Sequence, residues 1–483
     1  MNQVFKLIQI HVGDQSLTQL KSTAVLKVGG SLIDLSGTNI PLIIKRISKI
    51  KQAKNFGPIV VVSAPKGFTD RLQAIGEAKA RGQDYRGRTY SLDFVFGSYL
   101  GLASDYVSKD LLKEFEKELD KYATDVQDAI LKIEKRFEGS IKARILTSGG
   151  ELPTSALMSY VLRSNDIDSV HLEKSDWPII TDDKFESATP DILLSRRSIK
   201  SLISLLEDGK VVSIAGFLGV THDNLETLLG RGGSDQTAVF LSCLLRDYFE
   251  AETILLKETP VQSADPTIVK DQPLQRIHVM TYNEASRATV SGMKIIQNAA
   301  VRLAMSNSLS IKIATLRDLG VETIIQKEDL SPQIVKCVTG LKNCAIITMS
   351  SEKSRSLEDC LRLWEGYDEF IDLGIEVVGA GNVIRSFLIL DADFIRRHEN
   401  QLRSFDTKMS VEYDLGIVTL IGDKMRVSPG VASVAIGSIP HINIKRGIFA
   451  PHTSQITLVV AENDVPETIR AIHSQLDRLN KVK

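Results

Sequence analysis

Cysteine is scarce in this 483-residue chain: there are four, Cys243, Cys337, Cys344 and Cys360. They are too few and too scattered for a disulfide framework. The nearest pair, Cys337 and Cys344, has six residues between its members, unlike a CxxC metal or redox motif, and no histidine cluster lies nearby. Reduced thiols and a cytoplasmic location are expected. An excess of either charge is also missing, with 59 Lys+Arg against 60 Asp+Glu. The basic surplus typical of a nucleic-acid binder is absent, and no nucleic-acid partner is expected. No apolar run approaches the ~18–20 residues that span a bilayer, so no membrane partner is expected. The opening MNQVFKLIQIHVGDQ lacks the apolar core and cleavage site of a signal peptide. Neither GxxxxGK[ST] nor GxGxxG occurs, which excludes the two commonest phosphate-loop patterns.

What is present is an ordinary globular composition, 43% hydrophobic and 25% charged. The length predicts roughly three domains and leaves room for a large core. Strands are predicted at Ala24–Val28 and Ile59–Val62, with a helix between them carrying Ile40, Ile43, Ile44, Ile47 and Ile50. The apolar runs are uninterrupted, as in strands buried on both faces, and the spacing is that of a βαβ unit. Residues 77–140 are rich in Lys, Asp and Glu with apolar residues at helical spacing, and read as a helical insertion with a solvated face. Further strands are predicted at Ala143–Leu146, Val170–Leu172, Val211–Ile214 and Thr253–Leu256. One long amphipathic helix follows from Asn283 to about Ser306, then a strand at Ile311–Ala314. Beyond about residue 335, short strands at Cys344–Thr348, Val377–Val378 and Phe387–Leu390 form one set. Ile417–Ile421, Ile442–Ile444 and Ile456–Val460 form a second, ending in a helical stretch, Asp464–Leu479. Two βαββαβ units of α+β type account for this pattern.

Four loops carry candidate chemistry. In Val25-Leu-Lys-Val-Gly-Gly-Ser31 a strand ends in two glycines. Backbone N–H groups of Gly29 and Gly30 and the charge of Lys27 suit a phosphate, with Ser31 as helix N-cap; a tight turn with a surface lysine would read the same. Ser63 and Thr69, in the loop after the second strand, fit a small polar substrate or simple turn chemistry. Glu151 follows Gly149-Gly150 at the end of the Ala143–Leu146 strand. There a carboxylate either orients an ammonium group or complements a helix dipole. Most distinctive is Leu229-Gly-Arg-Gly-Gly-Ser-Asp-Gln236. Arg231 suits a bidentate grip on a carboxylate, Ser234 could cap the following helix, and Asp235 charges its first turn. The three glycine-rich loops would meet where ligands gather, at the carboxyl ends of parallel strands.

These residues resemble aspartate kinase. Lys27-Val-Gly-Gly-Ser31 is similar to the opening motif of the amino-acid kinase superfamily. Gly149-Gly-Glu-Leu152, Gly230-Arg-Gly-Gly-Ser-Asp235, Ala264-Asp-Pro266 and Ser291-Gly-Met-Lys294 resemble aspartate kinase in particular. The resemblance covers residues 21–483. It implies an α/β amino-acid kinase fold, a mostly parallel sheet flanked by helices, over 21–334, with the insertion at 77–140. Two ferredoxin-like ACT domains would follow at 335–410 and 411–483, and 1–20 would be an N-terminal extension. It implies phosphorylation of the β-carboxylate of L-aspartate by ATP with Mg²⁺. Lys27, Gly29, Gly30, Ser31, Asp265 and Lys294 would serve ATP; Ser63, Thr69, Glu151, Arg231, Ser234 and Asp235 would hold aspartate. Lys27, Lys294, Arg231 and Asp235 are the catalytic set, and no protein metal site is expected. Ser428-Pro-Gly430, with Ser428 as N-cap and Pro429 at the first helical position, is either a plain helix start or an allosteric site for lysine or threonine. The first module carries Ser350-Ser-Glu-Lys-Ser-Arg-Ser356 at that point. ACT pairing implies a homodimer or larger even oligomer, and nesting of the modules would assign the strand Ile334–Val338 to the second.

The chain departs from the family at Leu256–Pro266, where the usual TDVDGVYTADP reads LKETPVQSADP. Lys257 and Thr259 replace acids, Pro260 a glycine and Gln262 an aromatic residue. Gln297-Asn298 stand in place of His-Pro. Two other readings remain. Acetylglutamate, glutamate and UMP kinases share the opening motif, but the Gly230–Asp235 loop and ACT pair argue against them. A non-catalytic amino-acid sensor would explain the altered loop, but Lys27, Glu151, Arg231, Asp235 and Lys294 are all retained.

Overall fold

The computed structural model describes residues 21–86, 91–230, 232–318, 320, 322–363, 370–379, 382–449 and 454–482. In chain order the strands of its first part are β1 (Ser22–Val28), β2 (Ile59–Val62), β3 (Ser169–His171), β4 (Val211–Ala215), β5 (Leu218–Val220), β6 (Glu226–Leu228), β7 (Glu250–Lys257), β8 (Val279–Thr281), β9 (Ile311–Thr315) and β10 (Glu322–Gln326). Eight of them form one sheet in the order β3-β4-β2-β1-β7-β9-β10-β8. Every neighbouring pair is parallel except β9–β10, and β5–β6 make a separate antiparallel hairpin. All of β2 and nearly all of β1 are buried, as strands covered on both faces must be. The Gly233–Leu245 helix covers one face through Ala238, Leu241 and Leu245, against Val25 and Leu255. The Ile40–Ala53 helix covers the other, its Ile43 and Ile47 against Leu26, Val60 and Val62.

The helical insertion does more than present a polar face. Val95, Tyr99, Phe115, Leu119, Val126 and Ile130 close a core of their own with Leu72, Ala143 and Leu146. The predicted strand Ala143–Leu146 is therefore not a strand but part of a helix, Gly139–Gly149. It packs against helices on several sides, and a stretch of four residues is too short to carry a period that separates a buried helix from a strand. The single helix predicted from Asn283 to Ser306 is also corrected. It is two, Tyr282–Val290 and Asn298–Asn307. Gly292 between them has φ of +105°, and a side chain there would overlap the Gly340 carbonyl.

A second sheet contains β11 (Cys337–Ser350), β12 (Phe370–Val378), β13 (Asn382–Ile389), β14 (Ser410–Ile421), β15 (Arg446–Ile448) and β16 (Gln455–Ala461), in the order β12-β13-β11-β14-β16-β15. Every pair is antiparallel. The two long central strands each serve both halves. Cys337–Leu341 pairs with Ile417–Ile421, while Ala345–Ser350 pairs with β13, and register shifts near Cys344 separate the two stretches. Each half then reads as a βαββαβ unit, with the first residues of β11 completing the second half. The strand predicted at Ile442–Ile444 is displaced to β15. Ile442 and Ile444, partly buried, pack against the adjacent core from irregular chain, and pairing begins where Lys445 N–H donates to the Val459 carbonyl.

Candidate active site

Lys27 lies near the carboxyl end of β1, where the sheet alternation sends it to the same face as Val25. Its register partner is Leu255 of β7, so Lys257, two residues on, shares that face. Both lysines point toward the Gly233–Leu245 helix, whose first turn presents Asp235. Lys27 Nζ lies 2.8 Å from Asp235 Oδ1 and Lys257 Nζ 3.8 Å from Oδ2. The backbone N–H of Gln297 donates to Oδ2 at 3.3 Å. Burial disfavours the charge on Asp235, but Lys27 and then Lys257 overcome it and hold the carboxyl below its ordinary value.

Two further loops meet this crevice. A side chain at Gly30 would overlap the Ala64 carbonyl oxygen, and one at Gly150 would lie 2.9 Å from the Ala64 Cβ. The loops after β1 and β2 and the turn before Glu151 are thus in direct contact, and only glycine allows it. Ser63 lies in that contact, its N–H donating to the Val28 carbonyl, and Thr69 lies in the first turn of the Phe68–Ala80 helix.

Glu151 opens the Glu151–Arg163 helix and is only 4% exposed. It does not follow a strand, as expected, but a turn between two helices. Burial raises its carboxyl to about 8, with backbone donors at Ala64 and Glu151 only partly offsetting. Among the described residues its Oε2 has no hydrogen-bond partner, which is costly unless a ligand donates there. The turn is held from the insertion: Tyr99 Oη donates to the Gly150 carbonyl at 2.6 Å and lies 3.0 Å from Thr154 Oγ1. Sequence reasoning missed Tyr99, because nothing in its local pattern separates it from other core aromatics.

Three capping assignments are corrected. Gly29, not a serine, precedes the short 3₁₀ turn Gly30–Leu32, and Ser31 is exposed. Gly232 is the N-cap of the helix bearing Asp235, with Ser234 inside its first turn; the Gln297 side chain packs where a Gly232 Cβ would sit. Gly430, not Ser428, caps the Val431–Gly437 helix, so Pro429 lies outside it; the Ser428 hydroxyl donates to the Lys424 carbonyl instead.

The other expected site residues are dispersed. Arg231 lies outside the described residues. Lys294 is exposed in the Ser291–Gln297 turn that reaches Asp235. Asp265 is exposed, and its Oδ1 accepts from the Thr267 N–H and hydroxyl at 2.7 Å each. Its segment packs through Ala264 and Val269 into the core of the second half of the antiparallel sheet. Ser428, Pro429 and Gly430 belong to that half. A buried cluster joins that half to the crevice. Lys336 Nζ lies 2.5 Å from Glu284 Oε2 and 2.7 Å from Asp329 Oδ1, and Glu284 Oε1 accepts from Asp423 N–H at 2.8 Å. Glu284 is also the N3 member of the capping box of the Tyr282–Val290 helix, which leads into the turn carrying Lys294 and Gln297.

The model of the amino acid kinase family matches residues 22–315. The aspartokinase of Helicobacter pylori strain 26695 is 27% identical over 370 residues, spanning 73% of this chain and 89% of the relative. Lysine-sensitive aspartokinase 3 of Escherichia coli K12 is 22% identical over 429 residues, 86% of this chain and 92% of the relative. Escherichia coli aspartokinase III in complex with aspartate and ADP, in its R-state, has a similar fold. Its TM-score is 0.77 at 20% identity, over 94% of this chain and 100% of that one. The lysine–aspartate complex of the same enzyme, in its T-state, gives 0.69, over 94% and 99%.

Proposed function

The chain belongs to the amino acid kinase family, and we propose that it transfers the γ-phosphoryl group of ATP to the β-carboxylate of L-aspartate. The product, 4-phospho-L-aspartate, enters lysine, threonine and methionine synthesis. The observation that carries this reading is the convergence of Lys27, Asp235 and a buried Glu151, whose Oε2 has no hydrogen-bond partner among the described residues, at the carboxyl ends of β1, β2 and β7. Similarity to aspartokinases over most of the chain supports it.

Aspartate carries two carboxylates and an ammonium. Glu151 suits the ammonium: burial raises its carboxyl to about 8, and an arriving cation favours the ionised form. Arg231 suits the substrate carboxylate, and Ser63, Thr69 and Ser234 the remaining polar atoms. The attacking β-carboxylate is already an anion, so no general base is required. The barrier is positional and electrostatic. Lys27, held in place by Asp235, neutralises charge on the transferring phosphoryl group, and Lys294 supplies a second cation. Gly29, Gly30 and Ser31 offer backbone N–H groups to the nucleotide, and Asp265 would serve it from the neighbouring segment. Among the described residues no cluster of three or more His, Cys, Asp or Glu side chains forms a metal cage. Mg²⁺ would be carried by the phosphates, where it neutralises charge.

Residues 335–410 and 411–483 are assigned as the two ACT modules, with the first residues of β11 shared into the second. They fit feedback control by lysine or threonine through the loop at Ser428-Pro-Gly430, and assembly as a homodimer or larger even oligomer. No described helix is long and apolar enough to cross a membrane, and Cys243, Cys337 and Cys344 are free and buried. A cytoplasmic setting is consistent with both. An aspartate-dependent hydroxamate assay tests the function. Acyl phosphate well above the blank, abolished in Arg231→Ala, is expected; a wild-type protein no more active than that variant refutes it.

A further inference from the structure

Among the described residues, the crevice brings two lysines to one ion-paired carboxylate. Asp235 is met by Lys27 at 2.8 Å, and Gln297 N–H shares its other oxygen at 3.3 Å. Lys257 stands at 3.8 Å from that same oxygen, near the outer limit of an ion pair, with 26% of its side chain exposed. Two ammonium groups beside one carboxylate leave a net positive charge in a largely desolvated place. Burial, opposed by Asp235 and reinforced by repulsion from Lys27, lowers the Lys257 pKa. Such an arrangement costs free energy until an anion joins it, which makes it a mark of a binding site.

The backbone fixes where that anion would sit. Lys257 ends β7, beside β1 and on the face of Lys27. It also lies opposite Thr315, the last residue of β9. Ligands of open parallel sheets collect at such strand ends. The N–H groups of the Gly233–Leu245 helix start on the same side.

We propose that Lys257 is a further catalytic lysine, binding the nucleotide polyphosphate jointly with Lys27. The proposal rests on the phosphotransfer reading above and adds to it a residue at a position where the family resemblance predicts an acid. The charge reversal places a cation where phosphate oxygens would be stabilised. When nucleotide binds, the Lys257 ammonium exchanges its long contact with Asp235 for phosphate oxygens, and Asp235 keeps Lys27 oriented.

The test is calorimetric titration of Mg-ADP into the full-length wild type, Lys257→Met and Lys257→Arg, with KM for ATP and for aspartate alongside. A charged hydrogen bond of this kind predicts a Kd roughly 10–100-fold weaker in Lys257→Met. KM for ATP rises in parallel, KM for aspartate stays within about threefold, and Lys257→Arg recovers most of the loss. A Lys257→Met variant that binds ADP within twofold of wild type overturns the proposal. So does a lowered melting temperature with nucleotide affinity intact, because Lys257 would then only balance Asp235. ADP titration needs no acceptor, so the two readings fail separately. A wild type that binds ADP but makes no acyl phosphate overturns the aspartate assignment and leaves the Lys257 comparison standing.

Discussion

Replacing Lys336 with methionine should remove the cation from a closed cluster and leave its carboxylates behind. The Lys336 and Glu284 side chains are fully buried and that of Asp329 is 13% exposed, with Nζ at 2.5 and 2.7 Å from their oxygens. Methionine fills much of the same volume, so the electrostatic loss dominates the cavity loss. Deleting one partner of a buried ion pair costs ~3–5 kcal/mol. At roughly 2–4 °C per kcal/mol, that lowers melting by roughly 6–20 °C. The loss should depend on pH in a defined direction. Burial already raises the Glu284 carboxyl above its ordinary value against the pull of Lys336; without the lysine it rises further. A folded carboxyl with a raised pKa keeps a proton that the unfolded chain has released, so stability falls as pH rises between the unfolded and folded values. The deficit against wild type therefore widens as pH climbs out of the ordinary carboxylate range. Thermal melts by circular dichroism at pH 5 and pH 8 measure it. Lys336→Met with Glu284→Gln should recover part of the loss, since glutamine removes the stranded charge but not the need to accept from both Thr281 and Asp423. The reasoning fails if the single variant melts within about 1 °C of wild type at both pH values. It also fails if the double variant is no more stable than the single.

Three further outcomes follow from the crevice. With Glu151 at about 8, roughly nine-tenths of it is protonated at pH 7, so aspartate binding should release close to one proton. Calorimetry in two buffers of different ionisation enthalpy would show this, and Glu151→Gln should abolish it; release unchanged in that variant contradicts the assignment. Asp235→Asn strips the counter-ion from Lys27 and Lys257 and should lower kcat by ~10²–10³, whereas a kcat within threefold of wild type would count against its orienting role. Gly30→Ala forces a side chain onto the Ala64 carbonyl and should part the two loops, lowering kcat/KM on the order of 10²-fold with little change in melting. Steady-state kinetics beside a thermal melt separates that from general destabilisation.

Much of the architecture is legible in the sequence. The uninterrupted apolar runs of β1, β2, β4 and β7 announce strands buried on both faces, and their spacing announces parallel pairing. The glycine loops around Lys27, Glu151 and Asp235 were legible because close backbone approach leaves glycine as its trace. Local sequence misled where it carries no period or where a distant group decides the outcome. Ala143–Leu146 is a helix because neighbouring helices bury it. The break at Gly292 is imposed by the Gly340 carbonyl, some fifty residues away. Gly232 rather than Ser234 caps its helix because Gln297 occupies the space where a side chain would begin.

The sequence by itself determined which residue types were available for the chemistry: lysines, an arginine and acids set among glycines, and two α+β units after them. Only the tertiary structure decided which of these meet. Strand register put Lys257 on the face of Lys27. Burial raised the pKa of Glu151 and left its Oε2 without a hydrogen-bond partner among the described residues. The shared strands β11 and β14 and the Lys336–Glu284 pair joined the second unit to the helix that leads to the turn reaching Asp235. Register, burial and contact between distant segments depend on the whole chain at once, and a local pattern cannot encode them.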